Sequence, residues 1–289
     1  MSSLTPETVA AMAEAQLVPG QSPSPLRLPD PARLFGQRAL RLRELAREHN
    51  LAPWLEFVAG LADAQHQLSQ HPPALVDDPD KRWPTDLAAL LVAYKQVATV
   101  ANSAVAEAIG VLERSDRDAL QALARRLDAD QALAGDLPLA PFVVAAQQVA
   151  WTRYASSLKA GDLQVSAKAQ HCPVCGHPPV TGVIHVGGDS GLRYLHCGHC
   201  HTAWHHVRAS CVACGEGSEL SYRYIEDQSS AARAETCDHC KSYTKLLLAE
   251  KAPGFDPVAD DLASLAVDLL VGDEGYQRVG INPFLIQGA

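Results

Sequence analysis

Apolar side chains recur at helical spacing through the first part of the chain. Leu51, Leu55, Val58, Ala62 and Leu68 fall on one face of a helix, and so do Leu87, Leu91, Tyr94, Ala98 and Ala101. Asp30-Pro31 has the form of a helix cap followed by a first-turn proline, and Thr85-Asp86 and Ser115-Asp116 also have the form of caps. Proline-rich breaks lie at 19–31 and 71–84. The pattern predicts helices near 5–17, 31–49, 52–69, 85–113, 116–129 and 140–159, and it assigns residues 1–165 to an α-helical bundle.

The pattern then changes period. Short β-prone runs occur at 181–187, 192–197, 202–208 and 219–226. They predict a second domain over 166–250. Beyond it, "DDLASLAVDLL" (260–270) puts Leu262, Leu265, Ala266, Leu269 and Leu270 on one helical stripe. The tail 251–289 is therefore expected to close the chain with a helix docked on the domains before it. The fold class expected is α+β and multidomain.

Composition changes this picture only in the second domain. The chain has 289 residues and a formal net charge of −9, which does not suit a polyanion as main partner. Between Lys168 and Lys245 seven Lys and Arg face seven Asp and Glu, so no basic stripe is available for nucleic acid. The first ten residues lack the basic and apolar segments of a secretory signal. No apolar run reaches the roughly 18–20 residues of a membrane helix. A cytoplasmic protein with no membrane insertion is expected. No Gly-rich phosphate loop or nucleophile elbow is present, so neither a catalytic nor a cofactor-binding constellation is assigned, and the chain is not expected to be an enzyme.

All eight cysteines lie in Cys-x-x-Cys pairs: Cys172/Cys175, Cys197/Cys200, Cys211/Cys214 and Cys237/Cys240. In a reducing compartment such pairs are more often metal ligands or redox centres than disulfides. Two cysteines two residues apart in a tight turn reach one ion together, and backbone N–H groups of the turn offset the thiolate charge. Gly176 and Gly215, directly after their pairs, suit a backbone with positive φ. The third and fourth pairs repeat the first and second at offsets of 39 and 40 residues. The repeat points to a duplicated two-knuckle ribbon with two four-cysteine sites and two ions per chain. A cross-braced arrangement, first pair with third and second with fourth, uses the same spacings. Four sulfurs suit zinc or iron, and spacing does not separate them.

The histidines crowding the pairs, His171, His177, His196, His199, His201 and His239, read as neighbours of complete four-sulfur sites and not as ligands. Trp204 reads as the packing residue of a ribbon hairpin. "CGHC" (197–200) is also the active-site tetrapeptide of disulfide isomerases, but the strand and helix context of that chemistry is missing. A thiol-disulfide or electron-transfer oxidoreductase and a purely structural zinc-ribbon interaction protein stand as the alternative readings.

The stretch from "CPVCGHPPVTGVIHVGG" to "SCVACG" (172–215), then "AETCDHCKSYTKLL" and "DPVADDLASLAVDLLVGDEGYQRVGINPFL", closely resembles the formate dehydrogenase accessory protein family, FdhE. The likeness extends more loosely to "PWLEFVAGLADAQ" and "APFVVAAQQVAWTRYA". It implies a cytoplasmic accessory or maturation protein, a kind of chaperone. Such a protein binds the catalytic subunit of formate dehydrogenase, is required for its activity, and carries iron in rubredoxin-like sites. All eight cysteine positions match the family's pattern, and the resemblance puts iron ahead of zinc. Gly191, Leu192, Arg193 and Tyr194, with Ala234, Glu235 and Thr236, precede the second and fourth pairs. Hairpin geometry and packing are expected of Leu192 and Tyr194. Arg193 and Glu235 either form a salt bridge within the module or contact the client.

Overall fold

The computed structural model describes residues 2–3, 23–70, 78–97, 102–129, 131–186, 189, 191–225 and 231–285. The chain divides into two compact units. Met1–Leu28 with Lys159–Asn282 form the cysteine-rich unit, and Pro29–Leu158 with Pro283–Ala289 form the helical unit.

The helical unit contains α1 (Leu34–Ala46), α2 (Ala52–Ser69), α3 (Pro79–Val97), α4 (Ser103–Arg114), α5 (Arg117–Asp128) and α6 (Ala140–Ser157). The helix expected at 5–17 lies outside the described residues, as do Ala98 and Ala101. Leu55, Val58 and Ala62 are buried as the periodicity predicts, together with Phe35, Leu61, Leu87, Leu91 and Phe142. Phe57, Tyr94 and Phe142 meet edge to face, with centroids 5.3–5.9 Å apart. Gln65 Nε2 donates to Gln148 Oε1 at 2.9 Å and to Ala145 O at 2.9 Å inside this core.

Two expectations for this unit are corrected. The helix expected at 85–113 is two helices: the Asn102 side chain accepts from Ala104 N (3.0 Å) and Val105 N (3.3 Å) and starts α4 afresh. The expected cap Thr85-Asp86 lies inside α3. That helix begins six residues earlier, where Asp78 Oδ1 accepts from Asp80 N and Lys81 N. Asp86 instead accepts from Arg82 (3.2 Å) and Arg153 (2.8 Å) inside the unit. Asp116 caps α5 as read, accepting from Ala119 N at 2.8 Å.

The cysteine-rich unit is one mixed sheet. Its strands are β1 (Ser2–Ser3), β2 (Leu26–Arg27), β3 (Pro179–Ile184), β4 (Arg193–Cys197), β5 (Ala203–His205), β6 (Leu220–Tyr224), β7 (Ala232–Cys237), β8 (Ser242–Leu248) and β9 (Gln277–Arg278). The order is β1-β6-β7-β8-β3-β4-β5-β2, with β9 on β8. β3-β4-β5 and β6-β7-β8 are two copies of one antiparallel meander, and β3 joins them by pairing parallel to β8. The sequence repeat is therefore a structural repeat. Leu26–Arg27, expected with the helices, instead pairs with β5 at the sheet edge. Its flanking prolines read as a break in the sequence, but an edge strand tolerates proline.

The C-terminal segment covers one face of this sheet with α7 (Pro257–Ala263) and α8 (Leu265–Asp273). Val267, Val271 and Tyr276 pack with Val183, Ala234, Tyr243 and Leu247. The single stripe expected over 260–270 is corrected here, because the helix breaks at Ser264 and the break rotates the buried face. Leu262, Val267 and Val271 point inward, while Leu269 is 64% exposed and Leu270 is 40% exposed. The fully buried Lys245 on β8 stabilises the break. Its Nζ donates to the carbonyls of Asp261 (2.8 Å) and Ser264 (3.3 Å) and pairs with Asp261 and Asp268.

Candidate metal centre

Each meander brings its two cysteine pairs to one point. Cys172 and Cys175 lie in the turn before β3, Cys197 ends β4, and Cys200 closes the next turn. Cys172 Sγ lies 3.4 Å from Cys200 Sγ, and Cys175 Sγ lies 3.3 Å from Cys197 Sγ. In the second meander Cys211 and Cys240 are 3.7 Å apart, and Cys214 and Cys237 are 3.8 Å apart. The sulfurs of each group all lie within 4.8 Å of one another. The grouping is sequential and not cross-braced.

These distances test the fit of an ion. Four sulfurs about 2.3 Å from a tetrahedral centre stand about 3.8 Å apart. The second group matches that edge, and the first is a few tenths of an ångström tighter. All eight cysteines are free thiols, and their spacing is far from the roughly 2.05 Å of a disulfide. An all-sulfur tetrahedral donor set fits zinc or a single iron.

The knuckles repeat in backbone detail. Gly176 N donates to Cys172 O and Gly215 N to Cys211 O, each at 2.9 Å. The residue after each pair, Gly176, His201, Gly215 or Lys241, has φ of 77°, 60°, 80° or 53°. The sequence pointed to the two glycines but not to His201 and Lys241, which take the same left-handed conformation despite their side chains. His199 N (3.3 Å) and Cys200 N (3.4 Å) donate to Cys197 Sγ, and Ala213 N donates to Cys211 Sγ (3.4 Å). A hydroxyl stands two residues beyond the last cysteine of each group. Thr202 Oγ1 is 3.2 Å from Cys200 Sγ, and Ser242 Oγ is 2.9 Å from Cys240 Sγ. Neither hydroxyl was singled out from the sequence, although their equal spacing was there to read.

The sulfurs polarise one another. Hydrogen bonds from Cys175, Cys197 and Cys200 hold Cys172 well below the ordinary thiol range. The bond to Cys172 pushes Cys175 up, and burial pushes up Cys197. In the second group burial pushes Cys237 up to about 12. Burial also acts upward on Cys240, but the Ser242 hydroxyl and its neighbours outweigh it and leave the thiol at about 7. A bound cation overrides this order, because coordination deprotonates each thiol outright.

Only cysteines make up the two ligand groups among the described residues. His177 and His199 stack with centroids 4.2 Å apart beside the first group, and burial followed by His177 drives His199 down to about 3. Trp204 is fully buried and its indole donates to Ala169 O at 2.9 Å, which is packing as expected. Tyr194 is fully buried as well, and its hydroxyl donates to Ser24 O at 2.8 Å. Cys197 at the end of β4 and Cys200 in the turn after it are 1% and 0% exposed and are not at an exposed helix N-terminus. Among the described residues no helix is long and apolar enough to cross a membrane.

Twin meanders that each close a four-sulfur knuckle group define a tandem metal-ribbon protein, here joined to a helical unit. Family models described as "FdhE, N-terminal", "FdhE, central domain" and "FdhE, C-terminal domain" match residues 23–82 with 78–168, 171–208 and 209–285. The chain belongs to the FdhE family. It is 39% identical over 272 residues to "Protein FdhE homolog" of Pectobacterium carotovorum, covering 87% of each chain. It is 36% identical over 286 residues to "Protein FdhE" of Escherichia coli K12, covering 91% of this chain and 92% of that one. The crystal structure of the FdhE protein from Pseudomonas aeruginosa superposes with a TM-score of 0.81 at 35% identity, covering 91% of this chain and 99% of that one.

Proposed function

We propose that this chain is an accessory factor that binds the catalytic subunit of formate dehydrogenase in the cytoplasm and is needed for that enzyme's activity. In this reading Cys172, Cys175, Cys197 and Cys200 hold one metal ion, and Cys211, Cys214, Cys237 and Cys240 hold a second. The observation that carries it is the pair of complete four-sulfur groups in the fold of this family. A closed four-sulfur shell leaves no open position for a substrate, which supports the reading of a chain that acts on a protein partner and is not itself an enzyme. Iron is the metal we favour, as the family resemblance implies, and it would add one-electron chemistry to the binding surface. The domain reading that goes with this is a helical unit over 29–158 and a tandem four-cysteine unit that takes in residues 1–28 and, through Asn282, the C-terminal helices.

The pairing of β3 with β8, which joins the two meanders in one sheet, favours a second reading, in which the metals only hold a docking surface in shape. Deleting the gene and assaying formate dehydrogenase tests the accessory role; full activity without this protein refutes it. Complementation with a zinc-only form then separates the two readings, because a scaffold rescues activity and a redox partner does not. Co-purification of the catalytic subunit with the intact chain tests the contact itself.

A further inference from the structure

The two sulfur groups share one plan but differ in enclosure. In the first, Cys172, Cys197 and Cys200 are 3%, 1% and 0% exposed, Cys175 is half-buried, and every residue from 198 to 202 is buried. In the second, Cys211 and Cys237 are 4% and 1% exposed, but Cys214 stands at the surface and Cys240 is half-buried. The backbone around them is open too: residues 213–219, Asp238, His239 and Lys241 are all exposed. Cys214 is therefore the most accessible of the eight cysteines. No cysteine of the first group is exposed in that way, and three of its four are buried.

We propose that the second group is the exchanging centre of the protein, and that ligand exchange begins at Cys214 while the first group keeps its ion. This rests on the reading of both groups as metal centres. The incoming ligand is a soft sulfur or nitrogen donor, such as a small thiol or a chelator. The bond from the ion to Cys214 Sγ breaks, and the new donor takes the vacated position. The released thiolate takes up a proton or, with a maleimide present, adds to its double bond. The ion keeps its oxidation state throughout. Cys240, Cys211 and Cys237 follow by the same exchange, and the ion leaves as the chelate with one metal equivalent lost.

The full chain loaded with two zinc ions provides the test, with no substitution that could unfold it. Excess 4-(2-pyridylazo)resorcinol is added, zinc release is followed by absorbance, and pulses of N-ethylmaleimide are mapped by peptide mass spectrometry. One zinc equivalent is expected at least about ten-fold faster than the second, because the first group has no exposed cysteine and its three buried ones must wait for local opening. Maleimide is expected on Cys214 first, then on the rest of its group within the fast phase, and on Cys172, Cys175, Cys197 and Cys200 only in the slow phase. Release of both ions in a single phase, or earlier labelling of the first group, overturns the proposal while leaving two metal centres in place. A folded chain that takes up no zinc removes the metal-centre reading and this inference with it.

Discussion

Arg193 of the first meander and Glu235 of the second form an ion pair in which both side chains are closed to solvent. Arg193 Nη2 also donates to His206 Nδ1 (2.7 Å) and Ser210 O (2.8 Å), on the segment leading to Cys211. Tyr222 donates its hydroxyl to the other oxygen of Glu235 at 3.1 Å. One guanidinium thus ties both halves of the duplication to the link between them. Of the two roles open to these residues in the sequence, the intramolecular salt bridge is the one formed.

Removing one partner leaves a buried charge uncompensated, which costs about 3–5 kcal/mol. Arg193→Met and Glu235→Gln are each expected to destabilise the cysteine-rich unit by that order in urea unfolding of the metal-loaded protein. The double variant is expected to lose less than the sum of the two. Additive losses would mean that the pair is not coupled.

Sequential grouping predicts which metal is lost with which cysteine. Cys172→Ser breaks the first group and Cys211→Ser the second, and binding free energy in such modules is folding free energy. Each variant is expected to retain one ion by metal analysis, and the combination none. If both single variants emptied the same group, the sequential arrangement would be wrong.

His206 gives the unit an acid limit. Burial, then the Arg193 charge, pushes its pKa down to about 4, whereas an unfolded histidine titrates near about 6.5. Between those values the unfolded chain binds a proton that the folded chain does not. Stability therefore falls as pH drops from about 6.5 towards about 4. His206→Gln can still accept from Arg193 and is expected to lose less stability over that window. Parallel slopes for parent and variant in unfolding against pH would exclude a contribution from this residue.

What the sequence shows of this fold is what is local or periodic. The knuckles are legible because each cysteine pair spans four residues and the whole pattern repeats. The helical faces around Leu55 and Leu87 are legible for the same reason. What escapes depends on distant partners. The break at Ser264 is fixed by Lys245, which reaches it from another element across the sheet. The pairing of Leu26–Arg27 with β5 joins segments far apart in the chain. Arg193 and Glu235 could each be noted as charged, but only the sheet brings them together. The unequal exposure of the two sulfur groups has no counterpart in their nearly identical spacings.

The break in the C-terminal helix makes neighbouring apolar positions unequal. Leu269 is 64% exposed on α8, while Val271 is fully buried against the sheet. Leu269→Asp is expected to change stability by no more than about 0.5 kcal/mol. Val271→Asp buries a carboxylate without a partner and is expected to destabilise by about 3 kcal/mol or more. The reverse order in thermal unfolding would restore the continuous stripe that the sequence suggests.

The left-handed residue closing each knuckle allows a clean measurement of backbone strain. A Cβ placed on Gly176 or Gly215 meets nothing within 4 Å, so alanine there introduces no clash and only the backbone cost remains. The strain costs about 1–2 kcal/mol, and alanine's smaller freedom in the unfolded chain returns about 0.5–1 kcal/mol of it, so Gly176→Ala and Gly215→Ala are each expected to destabilise by about 0.5–1 kcal/mol. Lys241 already bears that strain at φ 53°. In Lys241→Gly the same two effects act in reverse, and a gain of about 0.5–1 kcal/mol is expected. The exposed ion pair of Lys241 with Asp238 changes this little. Lys241→Val puts a β-branched residue in the same conformation and is expected to destabilise clearly. Unfolding of the four metal-loaded variants should thus rank Lys241→Gly at or above the parent and the other three below it. Parent-like stability of Gly215→Ala would show that the knuckle does not need its positive φ, and would remove the physical reason for a glycine after the pair.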